Sequence, residues 1–420
     1  MPKLVDRIRT TYTEYPKQFW VLIGASFIDS IGGAMMFPYF TLYLTKRFGV
    51  GMTQVGLVFA IFSITGVVGS TVGGALTDRW GRKTMLIFGL MASATSTLLM
   101  GLANSFAMFV TVALVVGMMS RTGMPAQRAM VADILPVEQR TQGYAMLRVV
   151  HNLAVAVGPA IGGFIAMHSY MTLFITDAVG STLTALVVLL AIRESRPISE
   201  AEAAGEKQPG ILSAFGGYSL ALRNGVFMLF MGAYILQVMG SQQMFGTLGV
   251  FMRDVRGYTE QNYGLIITVN GLMVVLFQFP ITRLCQRVPR LRLMALGALF
   301  YAAGLMIFGL ANVYVLFMLA MAVATIGEMM TAPTSQAIAA EMAPEDMRGR
   351  FMAVYGLSWS ISSAIAPTLA GLLMDAGRPF WVWYCASALA VVAAVGYLGL
   401  RRFARQSVAT SGARQTAAFT

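Results

Sequence analysis

The sequence predicts an all-α integral membrane protein: twelve transmembrane helices in two six-helix halves related by a pseudo-two-fold axis. Three observations lead there. Apolar stretches of about 20 residues, enough to cross a bilayer, recur along a 420-residue chain that is 57% hydrophobic and 11% charged. Shifted on itself so that Pro125 falls on Pro333, the chain matches its own second half. Its basic residues gather on alternate loops.

A soluble domain carries about 25% charged residues, and a mean hydropathy of +0.69 is most simply hidden in lipid. The expected spans lie near 19–44, 53–76, 84–103, 106–127, 141–166, 170–192, 219–251, 260–282, 292–311, 313–340, 350–374 and 380–400. The start is basic and polar, and the first apolar stretch is too long for a cleavable leader. With both termini cytoplasmic, only Lys46, Arg47, Arg253, Arg256 and Arg378 fall outside and Arg121 falls within a span. That leaves about 24 of the 30 Lys and Arg on the inner side. This is the positive-inside bias, so the net charge of +12 reports topology in a plasma membrane and predicts no nucleic-acid partner. Trp20 and the Trp381, Trp383, Tyr384 cluster stand at span ends, as interfacial anchors do.

Cys285 and Cys385 make no disulfide or metal framework, two histidines are too few for a metal cage, and no nucleophile or phosphate-loop motif is present. No enzyme activity, metal or cofactor is expected.

The repeat places Asp133, Arg140 and Pro159 on Glu341, Arg348 and Pro367, Arg79 on Arg287, Arg82 on Arg290, Gly32 on Gly240, and Phe37 on Phe245. It needs no gap, and six spans per half give both halves the same orientation. The halves are 1–192 and 219–400. Residues 193–218, with the only long charged and Pro-containing stretch between spans, form a cytoplasmic linker. Residues 401–420 form a polar, basic cytoplasmic tail read as disordered.

Between spans two and three stands Gly74-Ala-Leu-Thr-Asp78-Arg79-Trp-Gly81-Arg82-Lys83. It resembles the GxxxDRxGRK signature of the major facilitator superfamily at every defining position, and the repeat extends the likeness over nearly the whole chain. The resemblance implies a transporter working by alternating access, with Gly74, Asp78, Arg79, Gly81, Arg82 and Lys83 in a cytoplasmic gate. The alternative, a positive cluster that only sets topology, explains Arg82 and Lys83 but not Asp78 or the glycines. In the family the acid ending span four pairs with the arginines of this loop when the transporter opens outward. Asp133 and Glu341 match that role, and such pairs can bias a two-state equilibrium.

Charges that break the symmetry are candidates for coupling. Asp29 faces Gln237 in its repeat mate, Arg121 faces Met329, and Glu328 faces Ser120. An ionised side chain deep in a span costs roughly 2.5–3.5 kcal/mol on insertion scales, and such residues are functional hypotheses by default. The segment around Arg121 resembles the span-four basic motif of drug:proton antiporters, where the arginine sits near a span-one acid and tunes its protonation. Asp29 lies about 11 residues from the inner side and Arg121 about 15 from the outer, so their depths are within reach of a long side chain. A static ion pair is the alternative. Glu328 has no basic neighbour in its half. A lone carboxyl in low dielectric favours its neutral form, which suits either proton exchange or a permanent donor.

Gly158-Pro159-Ala-Ile-Gly162-Gly163 resembles the end of the antiporter signature in span five, with Ala145 and Ala154 replacing two of its glycines. Ordinary close packing is the alternative. Asp177 in span six reads as structural, and His151 as a quiet hydrogen-bonding group. The 31 methionines and 11% aromatics suit a promiscuous apolar pocket. Its expected lining is Phe37, Gln237 and Met244, at mid-membrane between the halves.

These readings favour a monomeric, proton-coupled exporter of small apolar or cationic drug-like molecules, with protons, the substrate and the lipid bilayer as partners. A carrier for a defined metabolite is the alternative. A non-transporting receptor would need a larger soluble domain.

Overall fold

The computed structural model describes residues 13–195, 218–344 and 347–411. Among them are twelve helices long and apolar enough to cross a membrane and no strand. The spans are Lys17–Phe48, Met52–Thr77, Arg82–Gly101, Phe106–Ile134, Val137–His168 and Tyr170–Ala191 in the first half. Gly225–Gly246, Glu260–Cys285, Arg290–Leu310, Tyr314–Glu341, Arg350–Asp375 and Pro379–Leu400 follow in the second. Most of the expected linker lies outside the described residues.

Helix ends follow local chemistry. Ser105, Ser169 and Asn224 each accept a hydrogen bond from the backbone N–H three residues on, and so start spans four, six and seven. Thr259 and Asn262 form a capping box at the start of span eight. Gly49, Gly81 and Gly257 turn the chain with positive φ. Two expectations need correcting. The long apolar run at 219–251 is three helices, Tyr218–Arg223, Gly225–Gly246 and Leu248–Arg256, because Asn224 caps a new start and the backbone departs from helical geometry at Thr247, with φ −118°. The final helix does not stop at Leu400 but runs on to Ser411, so the beginning of the expected disordered tail is helical.

Prolines act differently in the two repeats. Proline lacks an N–H and its ring crowds the carbonyl four residues back. In span four the helix ends at Ser120 and resumes at Gly123, with Arg121 lying four residues before Pro125. The mate, Pro333, sits inside the continuous helix Tyr314–Glu341. There the carbonyl four residues back, on Met329, accepts a hydrogen bond from Gln278 Nε2 at 3.0 Å. Span eight thus repairs the ladder in the second repeat.

Two compact units can be distinguished. The first takes in Met1–Phe37 and Ile64–Ile211, and the second Pro38–Ser63 and Leu212–Thr420. In the first, spans one, three, four and six close around Phe19, Leu22, Met85, Leu90, Met130 and Val188, all buried. In the second, spans seven, nine, ten, eleven and twelve close around Phe227, Phe230, Tyr234, Met294, Phe351 and Tyr397.

Candidate functional site

Spans one and six of the first unit touch along a polar seam. Ser181 Oγ donates to Asp29 Oδ1 at 2.7 Å, and Thr184 Oγ1 donates to the Ala25 carbonyl at 3.0 Å. One turn further along span six, Asp177 is buried and accepts from Thr97 of span three at 2.8 Å. Gly32 makes this possible: a Cβ there would lie 2.9 Å from Asp177 Oδ1 and 3.1 Å from its Cα. Asp177 thus lies one helical turn from Ser181, the partner of Asp29, and against Gly32, three residues on from Asp29. A cavity of about 90 Å³ opens beside Asp29, its wall including Ser26, Ser93, Gly123, Met124 and Gln127.

Arg121 takes no part in this seam, contrary to the expected approach to Asp29. Its guanidinium lies 3.8 Å from Met124 Sδ. Its stem runs beside span two, 3.7 Å from where a Cβ of Gly66 would stand and 3.4 Å from that of Gly69. The glycines of span two leave room for Arg121 against that helix, while Asp29 turns toward span six. Asp177, expected to be merely structural, is the carboxyl that stands next to Asp29.

At the end of the unit that carries the Gly81–Lys83 loop, Arg82 Nε pairs with Asp133 Oδ2 at 3.1 Å, with side chains 12% and 18% exposed. Arg82 also donates to the Thr77 carbonyl at 3.3 Å, and Lys83 Nζ to the Leu189 carbonyl at 2.7 Å. Glu194 accepts from the backbone N–H groups of Arg82 and Lys83 at 2.8 and 3.1 Å. This carboxylate meets the positive end of span three. It also lies where a Cβ on Gly81, at φ 96°, would stand. Gly74 approaches Pro125 of span four, and Arg79 is exposed. The side chain of Asp78 lies outside the described residues. Gly158 packs on span one, where a Cβ would be 2.7 Å from Ala34 Cβ, while Pro159, Gly162 and Gly163 are buried in one unbroken helix.

In the second unit Glu328 Oε2 accepts from Asn270 Nδ2 of span eight at 2.7 Å, and the same amide donates to Thr325 at 2.9 Å. Arg290 pairs with Glu341, the repeat equivalent of Arg82 with Asp133, with side chains 42% and 36% exposed. Two residues expected to line an open cavity are closed inside this unit. Gln237 is 2% exposed and accepts from Tyr397 at 3.0 Å, and Met244 is fully buried. Phe37 is half exposed.

At the opposite end of this unit Asp375 accepts from the backbone N–H groups of Met52 and Thr53 at 2.8 and 2.9 Å, so the end of span eleven caps span two. Gly56 and Gly371 permit that contact, since a Cβ on either would strike the facing backbone. Lys46 pairs with Glu260 at 3.4 Å, and Arg253 donates to the Leu42 carbonyl at 3.2 Å. The sequence reading named none of Asp375, Glu260 or Glu194. Charge at a helix end is common, and only the fold shows which N–H groups it meets.

A family model described as Major Facilitator Superfamily matches residues 22–264 and 241–419. The chain is 29% identical over 404 residues to a Na(+), Li(+), K(+)/H(+) antiporter of Planococcus maritimus, covering 90% of this chain and 94% of that one. It is 25% identical over 364 residues to the quinolone resistance protein NorA of Staphylococcus aureus, covering 86% and 90%. A solved POT family transporter in complex with 5-aminolevulinic acid superposes with a TM-score of 0.74 at 16% identity, covering 91% of this chain and 96% of that one. The nucleoside transporter NupG gives 0.77 at 12% identity, covering 91% and 100%. At these identities the structural likeness is one of fold.

Proposed function

This chain belongs to the Major Facilitator Superfamily and is a multi-pass membrane transporter, and we propose that it exports small apolar or cationic drug-like molecules across the plasma membrane in exchange for protons. Both termini face the cytoplasm in this reading. The observation that supports it is a carboxyl in each unit whose hydrogen-bond partner is neutral: Asp29 with Ser181, and Glu328 with Asn270. A carboxyl locked to a guanidinium keeps its charge, whereas one held by a hydroxyl or amide is free to exchange a proton as its surroundings wet and dry. Quinolone resistance in the Staphylococcus aureus relative favours the drug-like substrate class. The Planococcus maritimus relative favours a second reading, antiport of alkali cations against protons.

Arg82–Asp133 and Arg290–Glu341 are assigned to the inner gate, with Asp78, Arg79 and Lys83 beside them. Asp375 and Lys46–Glu260 are assigned to an outer one. Everted membrane vesicles loaded with a fluorescent cationic dye test the coupling. Glu328→Gln imitates the protonated acid, so it should abolish pH-gradient-driven dye movement while retaining dye binding. If Glu328→Gln and Asp29→Asn both accumulate dye as the parent does, proton coupling through these residues is wrong.

A further inference from the structure

The cavity beside Asp29 lies wholly inside the first unit, and its size excludes the substrate proposed above. Drug-sized ligands occupy pockets of roughly 300–1,000 Å³. About 90 Å³ accommodates some three waters.

Its wall presents oxygen acceptors. Asp29 Oδ1 is taken by Ser181, which leaves Oδ2 with no hydrogen-bond donor among the described residues. Ser26 commits its hydroxyl proton to the Leu22 carbonyl at 2.6 Å, so it can only accept from Gln127, whose Nε2 lies 2.7 Å away. That fixes the amide and leaves Gln127 Oε1 free. Ser93 Oγ has no partner among the described residues and also lines the cavity. A carboxylate, an amide carbonyl and a hydroxyl, contributed by spans one, four and three, are ligands for a hard cation.

The repeat sharpens the point. Leu22, Ser26 and Ser93 fall on Phe230, Tyr234 and Tyr301 in the second unit, all three buried there. Where one repeat is filled with rings, the other keeps small polar groups around a space.

We propose that this cavity binds a small monovalent cation of the sodium or lithium class, held by Asp29, Gln127 and Ser93 with one or two waters. The proposal rests on the reading that Asp29 titrates during transport. Proton and cation are then alternative occupants: the cation enters as Asp29 loses its proton and leaves as the proton returns. The charge at the site decides the valence. Of the titratable groups on helices packed around Asp29, Asp177 lies nearest along span six, one turn from Ser181 and against Gly32. Arg121 and Arg128 of span four, and His151 and Arg148 of span five, make no hydrogen bond or ion pair with it among the described residues. Two carboxyls sharing a low-dielectric site do not both ionise. One net negative charge matches one monovalent cation, and a divalent ion would leave a buried positive charge uncompensated.

The test uses purified full-length protein in detergent. Its thermal unfolding midpoint is followed against sodium, lithium or choline chloride at constant ionic strength and alkaline pH. Sodium and lithium should raise the midpoint where choline does not. Once the pH is low enough to protonate Asp29, the half-effective sodium concentration should rise by about tenfold for each further unit the pH falls. Asp29→Asn, Gln127→Leu and Ser93→Tyr, the last copying Tyr301, should each remove the sodium response. Radiolabelled sodium binding to the unmodified protein, displaced by protons and lithium but not by choline, gives the same answer should a variant not fold. Equal midpoints in sodium and choline with no displaceable label would overturn the site, as would an undiminished response in Asp29→Asn. Dye export separates the two readings. If sodium binds but no pH gradient drives dye, the export reading falls and the cation site stands; if dye moves and sodium does not bind, only the site falls.

Discussion

The first spans of the two repeats carry the same scaffold to different ends. Asp29 and Gln237 occupy equivalent positions, and each is met by the last span of its half: Asp29 accepts from Ser181 of span six, Gln237 from Tyr397 of span twelve. Around Asp29 there is a cavity. Around Gln237 lies an aromatic brace. Tyr234 stacks on Tyr355 with ring centroids 5.1 Å apart, and Tyr355 donates to Tyr234 at 3.0 Å and meets Ser335 at 2.9 Å. Ser335 is the mate of Gln127, so the same position is a cavity wall in one half and a buttress in the other. A duplicated fold can keep its helix packing while one copy gives up close-packed interior for a site and the other spends the space on rigidity.

The largest expected effect tests the brace. Tyr234→Ser gives the second unit the residue of the first. It empties a 3% exposed position and takes the Tyr234 hydroxyl out of the network with Tyr355 and Ser335, and should destabilise the protein by about 3–5 kcal/mol. Denaturant unfolding followed by tryptophan fluorescence measures it. A change under about 1 kcal/mol would mean that the ring brace is not structural.

The ion pairs give a smaller contrast. Arg82–Asp133 is shielded, with side chains 12% and 18% exposed, whereas Arg290–Glu341 is open at 42% and 36%. Arg82→Ala leaves Asp133 with the Ser195 hydroxyl and should cost about 1–2 kcal/mol, against less than about 1 kcal/mol for Arg290→Ala. Parallel unfolding curves check this, and cysteine accessibility at the opposite end of the spans reports any shift in gating. Equal costs would erase the asymmetry.

The smallest effect is at Asp375, whose mate is the uncharged Met167. Asp375→Asn keeps one acceptor at the start of span two but removes the charge, at about 0.5–1 kcal/mol. Single cysteines at residues 50 and 54 should label faster in that variant. Unchanged labelling would mean that the cap does not hold this end closed.

The spans were legible because hydrophobic length and charge bias are properties of the chain itself. The partners in the pairs Arg82–Asp133 and Arg290–Glu341 were legible because the repeat prints each of them twice and the family resemblance implies that this acid meets the loop arginines. The cavity was not legible, since no period reveals which turn of span six faces span one. Asp177 did carry a signal: its mate is Cys385, so it breaks the symmetry as Asp29 does. It read as structural because span six of this fold normally faces lipid or scaffold helices. Arg121 misled for a related reason, because equal depth fixes height in the membrane but not the direction a side chain takes. Gly66 and Gly69 settle that direction, and their effect depends on which helix comes alongside.

The interruption at Arg121 and Thr122 divides span four into two rods, where span ten is one. The second rod, Gly123–Ile134, carries Met124 and Gln127 at the cavity and Asp133 at the ion pair with Arg82. These groups therefore share one helical segment, separate from Phe106–Ser120. A force applied at Gln127 reaches Asp133 through a little under two turns of stiff helix, some 9 Å by the rise per residue. The second repeat, with its ladder repaired by Gln278, has no such joint at this height.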